Sequence, residues 1–181
     1  MLFYFIRHGE TDANRQQLLA GAGMDHPLNL DGRAQARRLA SVFRELVPHP
    51  IHRLLVSSMT RTRQTAEPLA EALALEIQLV PDFREWHLGE WEGKSFFDFG
   101  HLLLGEGEPA GGEARQVFYS RIEQTWRAHH CDQNPYVIVS HGAVWLALQD
   151  LLKMPRFKVS NCDIVKVQSD GTRWCAQILS S

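Results

Sequence analysis

Short apolar runs alternate along the chain with longer stretches in which apolar residues recur every three or four positions. The short runs predict buried strands over residues 2–6, 52–57, 77–80 and 136–140. The periodic stretches predict helices over residues 31–47, 60–75, 113–129 and 143–152, with a kink at Pro68 in the second. Residues 163–167 and 172–178 flank a Ser-Asp-Gly turn and predict a terminal hairpin.

Strands that alternate with helices favour an α/β fold. We expect a three-layer α/β/α sandwich with a mostly parallel central sheet, in which residues 1–181 form a single domain. The length of 181 residues suits one domain, and the sequence has no internal repeat and no Ser/Gly-rich linker. Ligands of such sheets bind beyond the carboxyl ends of the strands, so those positions are the first place to look for chemistry.

Bulk composition argues against several kinds of partner. The net charge of -2 and the pI of about 6.5 do not favour a nucleic acid or a membrane surface as partner, so an anion site must come from locally clustered arginines.

No apolar run approaches the roughly 18 residues of a membrane helix, and the apolar start ends at Arg7 without a signal-peptide pattern. Cys131, Cys162 and Cys175 are widely spaced, which predicts reduced thiols in a cytoplasmic protein.

Three of the predicted strands end in a polar cluster that contains His or Arg. Arg7 and His8 follow the first strand, Arg61 lies shortly after the second, and His141 follows the strand over 136–140. If these strands are parallel neighbours, their carboxyl ends meet at one edge and bring two imidazoles and two guanidiniums together. Arginine forms bidentate bonds to phosphate oxygens, so this set favours a phosphate dianion as ligand.

At this point the sequence resembles the histidine phosphatase superfamily, in the branch that includes cofactor-dependent phosphoglycerate mutases. The resemblance spans nearly the whole chain. The matching segments, in chain order, are RHGET (7–11) with Asn14, PLN to GRAQA (27–36), SSMTRTRQTA (57–66), FRE (83–85), GEWEG (89–93) and SHG (140–142). The resemblance implies a phosphohistidine enzyme that needs no metal and no cofactor.

The resemblance also implies roles for individual residues. His8 attacks phosphorus and becomes the phosphohistidine, and Arg7 and Arg61 should keep its ring neutral while they stabilise the transferring oxygens. His141 acts on the same oxygens, as a charged donor in the transition state. Glu85 matches the general acid, and its pKa should be raised by burial.

Several further residues are weaker candidates. Asn14 and Thr11 are expected to donate hydrogen bonds near the phosphate. Glu10 or Glu90 would orient an arginine, and Glu92 is expected to be a solvated loop residue. The aromatic residues that we expect either in the core or around a substrate pocket are Trp86, Trp91, Phe96 and Phe97.

The middle segment bears on the substrate. The Gly-Gly-Glu stretch at 111–113 and the residues around Asn161 resemble α-ribazole phosphatases, which act in cobalamin biosynthesis, although Ala114 stands where that subgroup often has Ser. The segment 93–113 is shorter than the insertions that shelter the phosphoenzyme of mutases, so we expect water to reach the phosphohistidine. A phosphoglycerate mutase or a sugar-phosphate (fructose bisphosphate) phosphatase is the alternative.

Three other classes fit the sequence less well. A zinc hydrolase would need paired ligands such as HExxH, and nucleotide enzymes would need a GxxxxGK[ST] or GxGxxG loop; neither pattern is present. A non-catalytic phosphate-binding module is disfavoured by the complete set of candidate residues. The expected partner is a small phosphorylated metabolite. The sequence does not determine the oligomeric state, for which a homodimer is one alternative.

Overall fold

A six-stranded sheet lies at the centre of the computed structural model, which describes residues 1–105, 107–130 and 134–180. The strands are β1 (Leu2–Arg7), β2 (Arg53–Val56), β3 (Ile77–Leu79), β4 (Tyr136–Ser140), β5 (Ile164–Ser169) and β6 (Trp174–Ser180). Their order is β3-β2-β4-β1-β5-β6; the first four are parallel, and β5 and β6 are antiparallel to their neighbours. The mostly parallel sheet and the terminal hairpin are therefore confirmed.

The described helices flank this sheet. They are α1 (Asp12–Arg15), α2 (Leu30–Leu46), α3 (Thr60–Leu73), α4 (Phe96–Phe99), α5 (Arg115–His129) and α6 (Gly142–Leu151), with 3₁₀ turns at Pro81–Phe83, Gly89–Trp91 and Gly100–Leu103. The four long helices were predicted, and α3 continues beyond Pro68. The short elements were not, because four residues are too few to show a helical period.

Each face of the sheet has its own apolar core. Phe3 and Phe5 of β1 pack with α5 and α6, whereas Tyr4 and Ile6 pack on the opposite face with α2 and α3. Alternate residues of a strand point to opposite faces, so a strand covered on both sides is apolar throughout. Burial of each such side chain contributes about 1.5–3 kcal/mol, which fixes β1 in the middle of the sheet.

The register of the parallel strands aligns their carboxyl ends. Arg7 pairs with Ser140 across β1 and β4, and Val56 pairs with Val139 across β2 and β4. The segments that follow these strands therefore leave the sheet at the same edge. The amide of His8 donates to the Ser140 carbonyl at 3.0 Å, which extends the ladder by one residue.

The cysteines and the apolar segments bear on the remaining expectations from composition. Cys162 and Cys175 are free thiols, whereas Cys131 lies outside the described residues. Within the described ranges, no helix combines the length and the apolar character that crossing a membrane requires.

Candidate active site

Two imidazoles face each other where β1 and β4 end. The ring centroids of His8 and His141 are 5.3 Å apart, and the rings are inclined at 60°. His8 is 3% exposed and His141 is fully buried. The sequence places these residues at equivalent strand ends, and the fold brings them together.

The hydrogen bond of His8 fixes which ring nitrogen carries the proton. Its Nδ1 lies 2.8 Å from the carbonyl oxygen of Gly9, which can only accept, so Nδ1 is the donor and Nε2 keeps its lone pair. Burial lowers the pKa of His8 well below its usual value, and the charges of Arg61 and Arg7 lower it further. The ring is therefore neutral, as expected, although burial lowers its pKa more than the two arginines do.

His141 is held in the same environment. Its Nε2 lies 2.9 Å from the hydroxyl oxygen of Ser57, and its buried Nδ1 has no hydrogen-bond partner among the described residues. Burial lowers the pKa of His141 well below the usual value, followed in effect by Arg61, His8 and Arg7. One ring nitrogen thus remains available for a ligand.

The guanidiniums of the half-buried Arg7 and the buried Arg61 complete the cationic wall. Arg7 donates to the Val159 carbonyl at 2.9 Å, and Arg61, which is 2% exposed, donates to the carbonyls of Met24 and Gly21 at 3.1 and 2.9 Å. The buried Nε of each lacks a partner within the described residues. A buried donor left unsatisfied costs about 1–3 kcal/mol, so an anion that accepts from both would bind favourably.

Glu85 lies at the wall of the same cavity. Its carboxylate accepts from the amides of Trp86 and Ala143 at 3.1 and 3.4 Å. Burial raises the pKa of Glu85, in the direction expected, while Arg61, these two amides and Arg7 oppose the rise. The group retains its proton to a higher pH than an exposed carboxyl does, which suits a proton donor.

Asn14 and Thr11 are linked at the start of α1. The Thr11 hydroxyl caps the helix by accepting from the Asn14 amide at 3.3 Å, and the Asn14 side chain accepts in return from the Thr11 amide at 3.2 Å. Asn161 donates to the same Asn14 oxygen at 3.2 Å. The Thr11 hydroxyl oxygen thus serves as the helix cap. The side-chain NH₂ group of Asn14 remains as a donor toward the cavity that both residues line.

Two residues that support the site, Thr65 and Asn161, lie in segments that match the family, but the sequence did not predict a role for either. Thr65 accepts from the Gly9 amide at 2.9 Å and donates to the Arg61 carbonyl at 2.7 Å, so it joins the His8 loop to α3. Asn161 donates to the His8 carbonyl at 2.8 Å. Only their tertiary contacts identify them, because Thr and Asn are common turn and helix residues.

The remaining acidic candidates divide into three cases. Glu10 accepts from Arg15 and Asn29, so it orients an arginine as expected, and Glu90 is exposed. The expectation that Glu92 is solvated is wrong: its side chain is 12% exposed and accepts two backbone amides. No group of three or more His, Cys, Asp or Glu residues in the described part of the chain is placed to hold a metal ion.

A cavity of about 590 Å³ extends from His8. Its lining includes Trp86, Phe96 and Phe97, whereas Trp91 packs edge-on against Trp86 in the core. The described parts of segment 93–113 fold into α4 and a 3₁₀ turn beside the cavity, so the segment is short but is not an open loop. Other apolar residues that line the cavity include Leu18, Leu19, Leu88, Leu103, Leu104, Phe118, Trp145, Leu146, Phe157 and Val159.

Two known proteins with similar sequences carry different kinds of name. The chain is 29% identical over 193 residues to the Escherichia fergusonii protein named "Probable phosphoglycerate mutase GpmB", with 96% of this chain and 87% of that protein covered. It is also 29% identical over 168 residues to the adenosylcobalamin/alpha-ribazole phosphatase of Salmonella typhimurium, with 86% and 81% covered. Because the identity is 29% to both proteins, their names do not decide between a mutase and a phosphatase, and the substrate has to be argued from the site.

A solved structure and a family model agree with the fold. A mycobacterial glucosyl-3-phosphoglycerate phosphatase, determined in complex with VO3, superposes with a TM-score of 0.79 at 27% identity over 98% of this chain and 97% of that one. The family model of the histidine phosphatase superfamily (branch 1) matches residues 3–180. Since that match covers almost the whole sequence, the chain belongs to the histidine phosphatase superfamily, branch 1.

Proposed function

We propose that this protein is a metal-independent phosphatase that hydrolyses a small phosphomonoester through a phosphohistidine at His8. One observation carries the proposal: a neutral imidazole with a free Nε2 lies beside Arg7 and Arg61, each of which has a buried Nε with no partner in the part of the chain that the structure describes. A nucleophile and preorganised donors for phosphoryl oxygens are the two parts that metal-free phosphoryl transfer requires.

In the first step the phosphoryl group is held by Arg7, Arg61, His141 and Asn14. His8 Nε2 forms a bond to phosphorus while the bond from phosphorus to the ester oxygen breaks. The fixed donors stabilise charge on the transferring oxygens, and because they are already in place they need no reorganisation. Glu85 gives its proton to the departing alkoxide, a role that its raised pKa supports.

In the second step water attacks the phosphohistidine. The Glu85 carboxylate, now deprotonated, takes one proton from that water as the new oxygen–phosphorus bond forms and the bond to His8 Nε2 breaks. Inorganic phosphate leaves, and both residues return to their starting states. The same carboxyl therefore serves as acid and then as base.

The cavity supports an apolar, aromatic alcohol as the leaving group. A second anionic group deep in this lining would lose its hydration at a cost of several kcal/mol unless a cation replaced it. Of the other cations that line the described cavity, Arg156 is paired with Asp150 at 2.6 Å and Lys158 lies over the Phe96 ring at 5.4 Å. We therefore favour α-ribazole 5′-phosphate, whose base is aromatic, over phosphoglycerates and sugar bisphosphates.

A substrate screen in EDTA tests this function. Phosphate release from α-ribazole 5′-phosphate and phenyl phosphate should exceed release from 3-phosphoglycerate and fructose 1,6-bisphosphate by at least about tenfold in kcat/KM, and EDTA should not reduce it. Conversion of 3-phosphoglycerate to 2-phosphoglycerate faster than any hydrolysis would instead assign a mutase. Phosphate binding without turnover of any ester would indicate a non-catalytic module.

We also propose that the protein is cytoplasmic. Cys175 is exposed and Cys162 half-buried, and both are free thiols, which fits a reducing compartment. Fractionation of the native cells should recover the activity with cytoplasmic markers.

A further inference from the structure

The Glu92 carboxylate is enclosed between two loops. It follows the 3₁₀ turn Gly89–Trp91, and its Oε1 accepts from the amides of Gly23 and Leu88 at 2.9 and 3.0 Å. Gly21 and Gly23 lie so close that a Cβ on either would overlap the carboxylate. The acid is therefore packed against the backbone of one loop and hydrogen-bonded to both.

The first of these loops holds Arg61. The carbonyls of Gly21 and Met24 accept from the two Nη atoms at 2.9 and 3.1 Å, and the buried Nε has no partner among residues 1–105, 107–130 and 134–180. Asp25, the next residue, accepts from the Thr60 amide at 2.9 Å and lies 3.7 Å from the guanidinium. The position of this loop therefore sets the direction in which Nε points.

The second loop continues from Glu85. The Trp86 carbonyl accepts from the Ala22 amide at 3.0 Å, and Leu88 donates to Glu92. Glu92 thus joins the loop that holds Arg61 to the loop that carries the proposed general acid. Burial lowers the pKa of the Arg61 guanidinium, and the charges of Glu85, Asp25 and, least of the three, Glu92 oppose that shift.

From these contacts we infer that Glu92 is a positioning residue: it holds the loop 21–24 so that Arg61 binds the phosphoryl oxygens. The inference rests on the proposed function only in taking Arg61 as a phosphate ligand. Glu92 is not one of the residues that line the described cavity, although its neighbours Gly21 and Leu88 are, so it acts on the phosphoryl group through Arg61.

Binding of inorganic phosphate, measured by isothermal titration calorimetry, tests this role without any turnover. Glu92→Ala should weaken phosphate binding about 10- to 100-fold, by analogy with the loss of metal affinity when residues that orient metal ligands are removed. Glu92→Gln keeps an oxygen that accepts both amides and should recover most of the affinity. Glu90→Ala, an exposed acid two residues away, should bind phosphate as the wild type does.

A double-mutant cycle separates positioning from general damage. Arg61→Lys keeps a cation but lacks the fork that bonds to the two carbonyls, so adding Glu92→Ala to it should weaken phosphate binding by less than about twofold. The same fold-loss in both backgrounds, or unchanged binding in Glu92→Ala, would overturn the inference. If Glu92→Ala does not fold by circular dichroism, Glu92→Asp, one methylene too short to reach both amides, takes its place with the same criteria. Wild-type protein that binds no phosphate would refute the proposed function instead.

Discussion

Replacement of Glu85 with Gln removes an acid and keeps its shape. In the wild type one carboxylate oxygen accepts from the Trp86 amide at 3.1 Å and the other from the Ala143 amide at 3.4 Å. The oxygen of Gln can keep the shorter bond, and its amide group then faces the longer one, so we expect a stability cost of about 1 kcal/mol. The variant should therefore fold and still bind phosphate.

The kinetic effect should depend on the leaving group. A general acid contributes about 10²- to 10⁴-fold, so kcat/KM for an alkyl phosphate should fall by that factor in Glu85→Gln. An activated ester such as p-nitrophenyl phosphate releases a stable anion that needs no proton, and its kcat/KM should fall by less than about tenfold. Steady-state phosphate release from both esters is the assay, with Glu90→Gln as the matched control.

The pH profile gives a second readout of the same substitution. Burial raises the pKa of Glu85, so the wild-type rate with an alkyl phosphate should decline as the pH rises through that pKa and the proton is lost. The Gln variant has no such proton and should lack this decline. Equal losses for both esters, together with an unchanged pH profile, would refute the general-acid assignment.

Three further substitutions probe the support, charge state and entrance of the site. Thr65→Val leaves the buried Gly9 amide without its acceptor and should lower the free energy of unfolding in urea by about 1–3 kcal/mol. Burial lowers the pKa of His8 and His141 in the folded state, so below about pH 6.5 the unfolded chain binds more protons than the folded one and the free energy of unfolding falls with decreasing pH. His141→Asn should reduce the slope of the free energy of unfolding against pH by about 1.4 kcal/mol per pH unit, measured by urea unfolding at pH 6 and 5. Phe97 lines the cavity and is 80% exposed. Phe97→Ala should raise KM for aryl phosphates about tenfold, while the melting temperature and phosphate binding stay unchanged.

Local patterns were sufficient to predict the sheet and the long helices. Residues 2–6 and 136–139 are apolar throughout because both faces of those strands are covered, and this pattern distinguishes them from half-exposed strands. His8, Arg61 and His141 could be placed together because parallel strands end at one edge. Each of these inferences needs only the neighbours along the chain and one rule about sheets.

The parts that could not be predicted depend on contacts between distant segments. Asn161 reaches His8 across 153 positions, and Thr65 reaches Gly9 across 56. Glu92 looks like a loop acid in the sequence, since nothing near it reveals that two glycines 69 and 71 positions earlier leave space for its carboxylate. Side chains of this kind are identified by their tertiary partners and not by residue type or spacing.

A direct test of the central claim is rapid-quench labelling with a ³²P-phosphomonoester. The wild-type enzyme should yield a phosphoenzyme that is labile in acid and stable in alkali, with the label on His8, because its neutral ring has Nε2 free. His8→Ala should form no adduct, while Glu90→Ala should form the wild-type amount. An adduct of the same yield in His8→Ala, or one that is stable in acid, would contradict the account.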